Sequence, residues 1–177
     1  LDPISLPIVA ANLKSAGYDA RLLEESPDSI RRSLAYNSGQ CIPVNIMVQN
    51  AVDYIQKYQL DPKNTLLWVA KSDYACNIKM YPHFMRQLLL EYKLPEVEVY
   101  AGEISFLELS PMIAINTYFA YMFGGLIRRI GCRIRPYELV PGITDKTIEK
   151  SVDLLVDTFE NNGNKQNAVK EIVSWFQ

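Results

Sequence analysis

The chain has 177 residues, a formal net charge of −2, 49% hydrophobic residues and 21% charged ones. That balance excludes a disordered chain, and with no basic excess nucleic acid is not an expected partner. Three cysteines make no secreted disulfide framework, and no signal peptide opens the sequence, so a cytoplasmic protein with one core-forming domain is expected.

In chain order, Leu6, Val9, Ala10, Leu13 and Ala16 follow helical spacing, and Gly17 stands where a helix stops. Tyr18 to Leu23 alternates and reads as a strand. Ser26-Pro27-Asp28 opens a helix to about Tyr36. After a turn at Cys41, Val44 to Tyr58 is helical, with Ile46, Met47, Val48, Ala51, Val52 and Ile55 on its inner face. Asp61 to Asn64 is a turn, and the apolar run Leu66–Ala70 has the character of a buried parallel strand. A helix over Pro82–Tyr92 and a strand over Val97–Tyr100 follow.

Leu109 to Ile127 then runs 19 residues without a charge. That approaches the roughly 20 residues of a membrane span. Its Ser110, Pro111, Asn116, Thr117, Gly124 and Gly125 favour a buried or subunit-facing helix from about Pro111 to Arg129, with no membrane. Helices over Thr144–Phe159 and Gln166–Phe176 close the chain, separated by Asn161–Asn164. Helices alternating with short strands predict an α/β fold: a Rossmann-like three-layer domain with a small, mostly parallel sheet and extra C-terminal helices. The chain opens at Leu1-Asp2-Pro3 without a methionine. Residues 1–177 are accordingly expected to be a single α/β domain cut from a larger multidomain protein.

The chemistry centres on cysteine. Asn37-Ser38-Gly39-Gln40-Cys41-Ile42-Pro43 leads into a long helix, and Pro43 favours the first helical turn. Cys76 occupies the matching place after the Leu66–Ala70 run. A thiolate at a helix N-terminus gains from unpaired N–H groups and the positive dipole end, and iron–sulfur clusters bind through such thiolates. The competing explanation is that a free cysteine is simply a small buried hydrophobe, and that explanation covers Cys132 as well. His83, the sole histidine, opens a helix after Tyr81-Pro82. No nucleophile–base pair or ligand spacing links it to Asp53, Asp61 or Asp73, so a stand-alone enzyme built on His83 or Asp73 is the weakest alternative. Arg135-Pro136-Tyr137-Glu138-Leu139-Val140-Pro141-Gly142 reads as a rigid connector whose Arg135 and Glu138 could pair or meet a ligand.

Four segments together resemble a family. They are Leu13–Leu23, Ser38-Gly39-Gln40-Cys41-Ile42-Pro43, Ala75-Cys76-Asn77-Ile78-Lys79-Met80-Tyr81, and Arg135-Pro136-Tyr137-Glu138 with Pro141-Gly142 and Thr144-Asp145 after it. In this order they resemble the 2-hydroxyacyl-CoA dehydratase superfamily, which includes 2-hydroxyglutaryl-CoA dehydratase. The resemblance is greatest to the C-terminal region of the large acyl-CoA dehydratase activase-related proteins. It implies a four-iron four-sulfur (4Fe-4S) cluster, with Cys41 and Cys76 as ligands and no place for Cys132. It also implies electron transfer in an anaerobic, CoA-linked system whose partner is an ATP-dependent activator domain or a dehydratase subunit. The chain would not be catalytic alone. After Cys76 the family tends to small residues, whereas Asn77, Ile78, Lys79 and Met80 stand here. The alternative is a cluster-free docking or oligomerisation module, such as a homodimer, associating through the Pro111–Ile127 helix.

Overall fold

In a computed structural model the described residues are 2–37, 39–69, 76–101 and 110–176. They are 70% helical and hold one two-stranded parallel sheet. The expected Rossmann-like three-layer α/β fold is therefore overturned: the molecule is mostly helical. Contacts gather into two compact units, Leu1–Leu22 with Ile104–Gln177, and Leu23–Glu103.

The unit Leu23–Glu103 carries α2 (Pro27–Ser33), α3 (Ile42–Tyr58), β1 (Leu66–Trp68), α4 (Tyr81–Glu91) and β2 (Glu98–Tyr100). Ser26 starts α2 through a capping box, its hydroxyl accepting from the Ser29 N–H while Ser29 Oγ accepts from the Ser26 N–H. Strands β1 and β2 run parallel, with Leu66 opposite Glu98 and Trp68 opposite Tyr100. The two rings meet edge to face. The core joins Val44, Val48, Val52 and Ile55 of α3 to Met85, Leu88 and Leu89 of α4 and to Val69, Val97 and Val99 at the strands.

The sheet fell short for a physical reason. An apolar run becomes a central strand only where layers cover both its faces. Here Leu66 is 52% exposed, and only Val69, Val97 and Val99 of this region are fully buried. Tyr18–Leu23 forms no strand, and Tyr18, Leu22 and Leu23 face solvent. Ala70, the end of the expected first strand, lies outside the described residues.

The other unit packs α1 (Ser5–Ser15) against α5 (Pro111–Ile134) and α6 (Ile143–Glu160), with α7 (Lys165–Trp175) on α6. Ile8, Ala120, Ile127, Leu155 and Phe159 are buried. Asn12 of α1 donates to Thr117 Oγ1 at 2.9 Å and to the Ile113 carbonyl at 3.0 Å, fixing the register of α1 on α5. Helix α5 runs on to Ile134, beyond the expected Arg129, because Gly131 serves a close approach rather than a stop. A Cβ at Gly131 would fall 2.4 Å from Ile148 Cδ1, and one at Gly124 would lie 2.2 Å from Ser5 Oγ and 3.0 Å from its Cα. Among the described residues no helix is long and apolar enough to cross a membrane.

Because the Ser5 backbone itself crowds Gly124, a Gly124→Ala variant should lose about 1–3 kcal/mol of stability despite its better helix propensity. Urea unfolding followed by circular dichroism measures this.

Candidate thiol site

Cys41 sits at the N-cap of α3 in an extended conformation, and its side chain makes no capping bond. The loop before it is held from several directions. Gln40 Nε2 donates to the Tyr36 carbonyl and to Asn45 Oδ1 of α3, and Asn45 donates in turn to the Ser33 carbonyl. Gly39 takes φ +98°, a left-handed turn that a side chain would strain. The Cys41 side chain is half-buried and packs against the core of its unit.

Cys76 precedes the 3₁₀ turn Asn77–Met80, which runs directly into α4. Its thiol is exposed. The first residue of α4, Tyr81, is 5% exposed, and its ring belongs to the core. The Tyr81 hydroxyl donates to Cys41 Sγ at 3.3 Å. Burial above all, then that sulfur and the charge Cys76 can carry, push the phenol well above the ordinary tyrosine range. Cys41 thus meets this hydroxyl directly, and Cys76 acts on it only through charge; the shallow groove of about 480 Å³ beside Gly39, Gln40 and Phe84 is lined by neither cysteine.

Thiolates are the donors that iron–sulfur clusters take, so the chemistry of this pair fits part of such a ligand set. Among the described residues no group of three or more His, Cys, Asp or Glu side chains could hold a metal. The pair supplies two donors, and a complete cluster would need others from elsewhere.

Cys132 lies in α5 with its side chain exposed, so burial does not account for it. His83 is exposed in the first turn of α4. Asp73 lies outside the described residues, as do Ser38 and Ala75 of the quoted motifs. Arg135 and Glu138 do not pair with each other. Arg135 binds Asp145, while Glu138 accepts from the N–H groups of Gly142 and Thr144. These amide bonds hold the Glu138 carboxyl below the usual range. The motif thus locks a loop onto the start of α6 and leaves Tyr137, Leu139 and Val140 in solvent.

A second cluster was not evident in the sequence. Arg32 binds both Asp28 and Asp53, Gln49 donates to Asp53, and Tyr92 donates to Gln49 Oε1. Arg32, Gln49 and Tyr92 border a groove of about 310 Å³. Burial first, then Tyr36 and Asp53, raise Tyr92 to about 12. Residues 21 and 43 positions apart leave no local signal for such a network.

The chain matches no family model, no curated protein and no solved structure.

Two outcomes follow. Tyr92 has a folded value raised above its unfolded one, so its stabilising contribution is whole below about pH 10 and fades as pH climbs toward about 12. Tyr92→Phe should make urea midpoints less sensitive to pH in that window than wild type. Glu138→Ala should release the loop before α6 and speed proteolytic cleavage near Leu139–Val140, read by mass spectrometry, with little change in helix content.

Proposed function

We propose that Cys41 and Cys76 are cluster ligands in an electron-transfer system of the 2-hydroxyacyl-CoA dehydratase type, with an ATP-dependent activator domain or a dehydratase subunit as partner. What supports this is the placing of Cys41 at the N-cap of α3 with its sulfur bonded by the Tyr81 hydroxyl, and of Cys76 at the turn that leads into Tyr81. A four-iron four-sulfur cluster, when bound, supplies one-electron transfer. The chain's own residues do the rest. Cys41 presents its sulfur at the N-terminal end of the 17-residue helix α3. Tyr81 donates a hydrogen bond to that sulfur, drawing off electron density, which raises the reduction potential of a cluster. Gln40 and Asn45 hold the loop so that Cys41 keeps its direction. Three free thiols suit a reducing, cytoplasmic compartment.

A second function, a cluster-free docking module, is favoured by Ile78, which packs its bulk against the core just after Cys76. It is favoured also by the apolar outer face of α5.

Anaerobic reconstitution with iron and sulfide tests the first. The expected result is a brown protein absorbing near about 400 nm, as iron–sulfur clusters do. Iron and sulfide should fall away in both Cys41→Ser and Cys76→Ser and persist in Cys132→Ser. Wild-type iron content in either of the first two variants removes the assignment.

A further inference from the structure

Helix α5 carries two apolar stripes, and the fold of its own unit uses only one. The inner stripe, Ile113, Thr117, Ala120, Gly124, Ile127 and Gly131, is buried. A second stripe runs through Met112, Ile115, Phe119, Met122 and Leu126, in steps of three and four residues. That is the spacing of a coiled-coil seam. All five side chains are exposed, Met112 by 66% and Leu126 by 48%, and Tyr118 beside them by 63%. A helix apolar on opposite sides is ordinarily covered on both.

Glycine gives an independent observation. The inner glycines are explained by close neighbours: Gly124 by Ser5 and Gly131 by Ile148. Gly125 has no such reason, because a Cβ there would meet nothing within 4 Å. Glycine is the least favourable residue in a helix interior after proline, and an open site would suit almost any other residue better. Gly125 lies one turn beyond Tyr121, exposed at the edge of the second stripe. Where α1 and α6 cross α5, glycine admits them. The same logic at Gly125 calls for a further helix crossing the outer face.

We infer that the outer seam of α5 packs against the same seam of a second copy of this chain, with Gly125 at the edge of the contact leaving room for the partner helix. A second copy fits better than an unlike partner on two grounds. The seam has no charge between Met112 and Ile127, so two identical faces meet without repulsion, and twofold pairing of one patch with itself is the commonest closed assembly. The area also suits: the exposed parts of Met112, Ile115, Tyr118, Phe119, Tyr121, Met122 and Leu126 amount to on the order of 700 Å², against about 800 Å² per partner in a standard interface. This inference deepens the docking function and is independent of the thiolate one. Iron content and association state are separate measurements, so either can fail alone.

Sedimentation of the full chain tests it. Wild type should sediment at twice the chain mass, with dissociation on dilution. Gly125→Gln should weaken association at least tenfold while keeping the helical circular dichroism, since glutamine is the better helix former. Met122→Lys should do the same from the centre of the seam, and Lys146→Ala, on α6, should leave the dimer intact. A wild-type chain that stays monomeric at high concentration overturns the inference, including one that associates only when another polypeptide is added. So does a Gly125→Gln chain that remains dimeric and melts roughly 2 °C higher, the gain expected where nothing crosses that glycine.

Discussion

The side chain of Tyr81 joins the apolar core of its unit to the two cysteines. Its ring belongs to the core cluster that includes Val44, Val48, Met85 and Leu89, and its hydroxyl reaches the sulfur at the start of α3. A buried phenol is costly unless its hydroxyl finds a partner, and here the partner is Cys41. Packing of α4 on α3 therefore sets the position of Cys41 relative to the turn that carries Cys76. The polar clamp from Gln40 to Asn45 works in the same direction from the other side of the loop.

The second unit depends on glycine in a comparable way. Helix α5 comes close to α1 at Gly124 and to α6 at Gly131, where ordinary side chains have no room. Asn12 reaches across to Ile113 and Thr117 and makes that approach specific, since a slip in register would leave a buried amide unpaired. At the far end Glu138 accepts from two amides at the start of α6, as a carboxylate at a helix N-terminus should. The Arg-Pro-Tyr-Glu motif thereby has a structural role, with its tyrosine left outward.

Most helices could be read from spacing. The spacing of Val48, Ala51, Val52 and Ile55, with Pro43 in the first turn, marks α3 and puts Cys41 at its N-cap, although Ile46 and Met47, read on the same face, are only half-buried. What could not be read was whether a strand would find partners. Alternation over Tyr18–Leu23 is a local property, while a ladder needs a neighbour that no local pattern reveals. The α/β reading rested on that assumption and failed with it. Helix α5 extends past the expected Arg129 to Ile134, where Gly131 seats it against Ile148 of α6, a neighbour that no local pattern reveals. The role of Tyr81 was equally hidden. It follows Cys76 by five residues in the sequence, yet the sulfur it binds is 40 residues away.

A bifunctional thiol reagent addresses the central claim directly, that Cys41 and Cys76 face one shared space at Tyr81. In a Cys132→Ser background only these two thiols remain, and phenylarsine oxide binds tightly only where one arsenic can reach two sulfurs. Intact-mass spectrometry should then find one arsenical per chain, both thiols protected from alkylation, and no such adduct in Cys76→Ser. Two thiols that alkylate independently and bind no arsenical would contradict the account.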